Sequence, residues 1–258
     1  MMMRTYKTYC FDLDGTVYHG TDPVPEAIAL IGQLQSRGIE PYYITNNSSA
    51  TPEQVMQKLS DFGIQTKPEY IMTSALAAAH YCKENYPGKT VQMLGETGLY
   101  AALEAEGIQQ VDEHPDLVIM GIDRDITYEK LAKACLAIRG GAKFIATNGD
   151  KAIPTERGLL PGAGSFVKLV EYSTGVSPIF MGKPESYMLN YIRQRSGSEK
   201  KDMVLIGDNF DTDILAGIRY GISTVHVEGG VTSGEEVLLK EQQPTYLLRN
   251  LSEWLSKN

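Results

Sequence analysis

Tyr9-Cys10-Phe11-Asp12-Leu13-Asp14-Gly15-Thr16 is the stretch on which the reading of this chain turns. Three apolar residues run directly into two aspartates, a glycine and a threonine. Along an extended segment successive side chains alternate, so Asp12 and Asp14 share one side while Leu13 faces the other. Two carboxylates that close repel each other, an arrangement tolerated where a cation is shared or one of them takes a proton. Gly15 lets the chain turn sharply at that point. A bare Asp-x-Asp is common; Asp-Leu-Asp-Gly-Thr at the end of an apolar strand is far more specific.

Outward from that stretch, short apolar runs alternate with amphipathic ones, the pattern of an α/β protein. Tyr9 to Phe11 is expected as a strand. Pro25 to Arg37 follows as a helix, with Ala27, Ile28, Ile31 and Leu34 at helical spacing and Gly38 as its stop. Residues 41–44 form the next strand, ending in Thr45-Asn46-Asn47-Ser48-Ser49. Thr51-Pro52-Glu53-Gln54 has the form of a capping box opening a helix that turns Val55, Leu59 and Phe62 inward and ends at Gly63. Near the other end, residues 203–206 form a strand that breaks at Gly207-Asp208. Residues 213–220 form a short helix closed by Gly221, and residues 224–227 another strand. Strand, polar loop and helix repeated with short connections describe a Rossmann-like, doubly wound parallel sheet. Ligands bind such sheets beyond the carboxyl ends of the strands, where Asp12, Thr45 and Asp208 all fall.

The middle of the chain carries its own strands (90–94, 117–121, 143–146), its own helix (128–138) and a Gly/Pro-rich loop over 158–164. It reads as a second α/β domain, residues 77–180, inserted into a discontinuous core of residues 1–76 and 181–258. There is also an internal echo. Arg37-Gly38 precedes Thr45-Asn46 by the interval at which Arg139-Gly140 precedes Thr147-Asn148, with Pro-Glu or Pro-Thr-Glu after each. One strand-then-turn device used twice explains it, and two phosphate-binding turns are the sharper alternative.

Gly207-Asp208-Asn209-Phe210-Asp211-Thr212-Asp213 is a second acidic cluster after an apolar strand. Asp208 and Asp213 bracket a turn into a helix, so that one could cap the helix while the other reaches a metal. Oxygen ligands without histidine or cysteine favour Mg2+ over zinc. Met181-Gly182-Lys183-Pro184 supplies the cation that a phosphate site built from aspartates requires. Thr45, Asn46 and Asn47, at the tip of the second strand, offer a hydroxyl, amide groups and backbone N–H donors for phosphate oxygens.

Composition excludes several classes. The 258 residues carry a formal charge of −8 and no Lys/Arg-rich run, so neither nucleic acid nor an anionic membrane is an expected partner. No apolar stretch approaches the about 18 residues of a membrane span. Met1-Met2-Met3-Arg4 leads straight into the first strand without a hydrophobic signal region, so a cytoplasmic location is expected. The 3 cysteines, Cys10, Cys82 and Cys135, are scattered, which fits a reducing compartment and neither a disulfide framework nor structural zinc. Cys10 is expected to act as a small buried hydrophobe. His19, His80, His114 and His226 show no ligand spacing, although His19 lies near enough to the first motif to reach a site entrance. Walker A and GxSxG motifs are absent, and Gly229-Gly230 reads as a turn.

Taken in order, Asp-Leu-Asp-Gly-Thr, the threonine of Ile44-Thr45-Asn46-Asn47, the lysine of Met181-Gly182-Lys183-Pro184 and the 207–213 cluster resemble the four motifs of the haloacid dehalogenase superfamily of phosphohydrolases. The insertion resembles that family's type-2 cap, and its Ala-Thr-Asn-Gly-Asp and Pro-Gly-Ala-Gly-Ser runs are similar to those of the NagD-type, p-nitrophenyl phosphatase branch. The resemblance implies an Mg2+-dependent phosphatase of small-molecule phosphomonoesters: sugar phosphates, nucleoside monophosphates or aryl phosphates such as p-nitrophenyl phosphate. It makes Asp12 the nucleophile, carrying an aspartyl-phosphate. Asp14 becomes general acid and then base, and gives its backbone carbonyl to the metal. Thr45 and Lys183 hold the phosphoryl oxygens. Asp12 and Asp208 ligate the ion, with Asp213 as a further or indirect ligand and Asn209 of open role. Specificity is expected from cap loops 148–153 and 158–164, and a homodimer would form through the cap. A phosphotransferase or mutase using the same aspartate, and a non-catalytic ligand-binding protein on this fold, are the alternatives. The last would be marked by loss of Asp12 or Asp14, and both are present.

Overall fold

The computed structural model describes residues 4–155 and 157–255. The expectations for Met1–Met3 and for Glu156 of the echo therefore lie outside the described residues. Six strands form the principal sheet, in the spatial order Tyr246–Leu248, Ser223–Val227, Met203–Gly207, Thr8–Asp12, Tyr42–Thr45, Ile71–Thr73. Thr8–Asp12 pairs in parallel with Met203–Gly207 on one side and Tyr42–Thr45 on the other. Ser223–Val227 is likewise parallel to both of its neighbours.

Chain order explains where a site forms. From Thr8–Asp12 the chain passes through helix Pro25–Ser36 and strand Tyr42–Thr45 towards one edge. From Met203–Gly207 it passes through helix Leu215–Tyr220 and strand Ser223–Val227 towards the other. The winding thus reverses between Thr8–Asp12 and Met203–Gly207, and doubly wound sheets bind ligands beyond the carboxyl ends of the strands at such a reversal. Residues Thr8 to Asp12 are buried throughout, as are Met203 to Gly207, which is why both read as unbroken apolar runs rather than alternating ones. Burial also places Cys10 wholly in the core and pushes its thiol up to about 12, so it is inert packing.

By contacts, the chain divides into two compact units. One runs up to Thr45, resumes over Glu53–Met72 and continues from Lys183. The other comprises Asn46–Pro52 and Thr73–Gly182. The sequence boundaries at 76/77 and 180/181 differ from this division by a few residues and leave 46–52 in the core. Hydrogen bonding explains the difference for that segment. The Asn46 carbonyl accepts from Ser74 Oγ at 2.6 Å and Asn148 Nδ2 at 2.8 Å, and its amide donates to Asp150 Oδ1 at 3.1 Å.

The second unit has its own parallel sheet, ordered Ile179–Phe180, Lys143–Ala146, Leu117–Met120, Val91–Leu94. Helices Tyr128–Arg139 and Ala163–Thr174 close a core of Val118, Met120, Phe144, Val167 and Val170 against it. The segment expected as a Gly/Pro-rich loop is partly strand: Gly158–Pro161 pairs antiparallel with Ala152–Thr155. Pro154 and Pro161 disguise that hairpin, since proline is tolerated only where a strand needs no N–H donor. The helix expected over 213–220 is also different, beginning as a π-helical turn, Phe210–Ile214, before the α-helix Leu215–Tyr220. Among the described residues no helix is long and apolar enough to cross a membrane.

The C-terminal helix Ser252–Leu255 locks the first unit through its one tryptophan. Trp254 is 1% exposed and meets the rings of Tyr6, Tyr9 and Tyr246 at 6.3, 6.1 and 5.6 Å between centroids. Trp254→Ala leaves a cavity among three tyrosines and is expected to lower stability by about 3–5 kcal/mol. Urea denaturation followed by circular dichroism measures it, and an unchanged midpoint would show that the terminal helix is dispensable.

Candidate functional site: a buried acidic cluster with one lysine

Asp12 ends the central strand, and Gly15, at φ +97°, turns the chain immediately beyond it. Asp208 follows the adjacent strand, and the π-helical turn brings Asp213 back beneath it. Asn209, not either aspartate, caps that turn, its side chain accepting from the Asp211 N–H at 3.0 Å. The turn is held by Asp213 itself, whose Oδ2 accepts from the Asn209 N–H at 3.0 Å. Asp12, Asp208 and Asp213 each offer a carboxylate oxygen within 4.8 Å of the others.

Lys183 reaches into this group from the segment that begins after the insertion. Its ammonium donates to Asp12 Oδ1 and, at 2.7 Å, to Asp213 Oδ1. Exposure is 6% for Asp12, 3% for Lys183, 0% for Asp208 and 1% for Asp213, so these charges are almost entirely removed from water. Burial alone would depress the lysine's pKa; the carboxylates of Asp12 and Asp213 outweigh it and hold the ammonium above its usual range. Asp12 is pushed well up by desolvation and by Asp213, against the pull of Lys183. Asp208 is raised by desolvation and Asp213, against the Val231 N–H, the Thr16 hydroxyl and Lys183.

These residues fit a divalent cation. Three buried carboxylates converge with one ammonium between two of them, leaving the cluster short of positive charge when all are ionised. The donors are all hard oxygens, which suits Mg2+ or Mn2+ and not a thiolate- or imidazole-bound metal.

Asp14 stands apart from the buried group and keeps an exposed face. Desolvation by the surrounding wall still raises its carboxyl, opposed by Lys58, Lys183 and a hydrogen bond from Tyr18. Water on its open face limits that rise. Tyr18 in turn carries the Lys58 ammonium 3.7 Å from its ring centroid. Thr45 is buried at the end of its strand, in the same unit as Asp12. Asn46 and Asn47 fall in the other unit. The Asn46 amide is engaged with Asp150, and Asn47 Oδ1 accepts from the backbone N–H and the hydroxyl of Ser49, both at 2.8 Å. Of the echo, Asn148 serves as a brace for Asn46. His19 is exposed on a two-residue strand, Tyr18–His19.

What the motifs did not reveal is the wrapping of Asp208. Its Oδ1 accepts from the Thr16 hydroxyl at 3.0 Å, and its Oδ2 from the Val231 N–H at 2.7 Å. Glycines make room for it. A Cβ on Gly15 would lie 2.4 Å from Asp208 Oδ2, and one on Gly230 only 1.8 Å from it. The pair Gly229-Gly230 is thus more than a turn signal, but nothing in its local pattern says which side chain it must admit.

Comparison with known proteins agrees with the motif order. Residues 9–109 match the family model of haloacid dehalogenase-like hydrolases, and residues 180–254 match a second, HAD-hydrolase-like model. An acid sugar phosphatase of Staphylococcus aureus is 48% identical over 256 residues, covering 99% of each chain. Among solved structures, a thermostable NPPase from Geobacillus stearothermophilus superposes with TM-score 0.92 at 46% identity, covering 98% of this chain and 99% of that one. A putative p-nitrophenyl phosphatase from Bacillus subtilis gives TM-score 0.89 at 44% identity, with 98% and 96% covered.

The close wrap of glycine around Asp208 has a direct test. Gly230→Ala forces the carboxylate aside and is expected to weaken Mn2+ binding about 10- to 100-fold. Gly32→Ala, whose added Cβ meets nothing within 4 Å, leaves it unchanged. Titration of free Mn2+ by electron paramagnetic resonance reads both, and equal affinities would disprove the role given to Gly230.

Proposed function

Because this chain belongs to the haloacid dehalogenase-like hydrolases and is a phosphatase of that family, we propose that it hydrolyses small-molecule phosphomonoesters through a phosphoryl group carried on Asp12, with Mg2+ as its cation. The observation that carries this reading is the Lys183 ammonium fixed between Asp12 and Asp213 beside Asp208. A carboxylate can approach a phosphate dianion only where fixed positive charge offsets their repulsion. Lys183 provides one such charge. Asp12, Asp208 and Asp213, with the Asp14 backbone carbonyl, would hold Mg2+, which would supply the other as a Lewis acid.

In the first half-reaction a carboxylate oxygen of Asp12 bonds to phosphorus as the bond to the ester oxygen breaks. Asp14 gives its proton to that departing oxygen. Desolvation raises its carboxyl, the direction that suits a proton donor. In the second, Asp14 takes a proton from water as the water oxygen attacks phosphorus, which frees inorganic phosphate and restores the Asp12 carboxylate. Lys183 and the Thr45 hydroxyl hold the equatorial oxygens in both steps, and dividing one displacement into two lowers each barrier.

Sugar phosphates and aryl phosphates such as p-nitrophenyl phosphate are the substrate classes supported by the relatives' names, with nucleoside monophosphates on the same chemistry. The inserted unit is taken as the type-2 cap on which the choice among them depends.

Asp12→Asn is expected to lower phosphate release by about 1,000-fold or more. The same change removes one partner of Lys183 but also relieves repulsion with Asp208 and Asp213, so stability should stay within about 2 kcal/mol. Undiminished turnover in that variant would remove Asp12 as nucleophile. Treatment with EDTA is expected to stop phosphate release from p-nitrophenyl phosphate and added Mg2+ to restore it. A metal-free preparation working at full rate would assign the acidic cluster another purpose.

A further inference from the structure

His226 has no place in the reaction above and no ligand spacing in the sequence, yet it is fully buried, at 0% exposure. It lies on strand Ser223–Val227, directly across from Gly207, the residue before Asp208. Its Nε2 is 3.0 Å from the Thr232 carbonyl oxygen, while Nδ1 is buried with no hydrogen-bond partner. A carbonyl only accepts, so Nε2 carries the proton and donates, and Nδ1 is left as a bare lone pair. Burial, which disfavours the charged ring, supports that neutral tautomer.

An unpaired buried acceptor is costly, and an apolar side chain of similar size would avoid the cost. The advantage left to imidazole here is the single N–H aimed at Thr232. Thr232 belongs to the loop that folds back over Asp208. Its N–H donates to the Asp208 carbonyl at 3.2 Å, and its hydroxyl accepts from the Phe210 N–H at 3.0 Å. One residue earlier, the Val231 N–H holds Asp208 Oδ2, and one before that is the glycine that lets the carboxylate fit. The Thr232 carbonyl therefore ties residues 230–232 to the sheet, and its side-chain anchor is His226.

We propose that His226 is a positioning residue for the metal site: by holding the Thr232 carbonyl it keeps the 230–232 loop closed on Asp208, so that this carboxylate is oriented before the cation arrives. The proposal rests on the reading of Asp208 as a metal ligand. His226 itself is given no contact with substrate or metal, and acts through Thr232 and Asp208.

Glutamine and methionine have nearly the same shape, and only glutamine carries an N–H near the place of Nε2, so His226→Gln and His226→Met separate the hydrogen bond from packing. The measurement is Mn2+ affinity by electron paramagnetic resonance on the otherwise intact chain, with thermal melting of each metal-free variant. The expected result is a dissociation constant raised about tenfold or more in His226→Met and within about threefold of the unsubstituted protein in His226→Gln, at similar melting temperatures. Equal Mn2+ affinity in His226→Met overturns the proposal. So does failure of His226→Met to fold, which would make the imidazole a packing element, and so does failure of His226→Gln to restore affinity. If the unsubstituted protein itself binds no Mn2+, the metal reading falls first and this proposal with it. Binding by that protein with no loss in the methionine variant rejects this proposal alone.

Discussion

The ammonium of Lys183, shared between Asp12 and Asp213, is the contact on which the first unit's site is organised. Three carboxylates stripped of water and placed within reach of one another would drive the chain apart, or would take up protons, without positive charge among them. One lysine meets part of that demand. The remainder is a deficit of positive charge that a divalent ion would meet.

Holding such a group requires rigid surroundings, and the sheet supplies them. Thr8–Asp12 and Met203–Gly207 are adjacent parallel strands at the reversal of winding, so Asp12 and Asp208 stand at the ends of strands buried throughout. Their positions depend on backbone shape as much as on side chains. Gly15 and Gly230 leave space for the Asp208 carboxylate, and a Cβ on Gly207 would stand 2.3 Å from that of Asp213. Small residues are needed where a charged side chain and a neighbouring backbone occupy nearly the same volume.

The division of the chain shows a different constraint. Residues 46–52 follow a core strand and precede a core helix, so continuity assigns them to the core. The hydrogen bonds of Asn46 go instead to Ser74, Asn148 and Asp150, in the second unit. Local sequence reports what a segment is near along the chain, and a side-chain amide choosing a partner about a hundred residues away leaves no periodic trace. The same limit applies to the Gly158–Pro161 strand, where prolines signal a loop and only pairing with Ala152–Thr155 shows otherwise.

The sequence by itself determined the α/β class, the strand ends carrying Asp12, Thr45 and Asp208, and the existence of a second α/β unit. It also supplied the motif order by which the family is recognised. These are short-range matters: apolar runs, turn-forming glycines and acidic residues at fixed offsets from a strand. The tertiary structure alone decided that Lys183 bridges Asp12 and Asp213, that Asn209 caps the turn, that Asp14 stands outside the buried cluster, and that residues 230–232 and His226 enclose Asp208. Most of those contacts join distant segments: Lys183 lies 171 residues from Asp12 and 30 from Asp213, and Val231 lies 23 from Asp208. A linear pattern does not record which side chain meets which across a parallel sheet; only the packed sheet does.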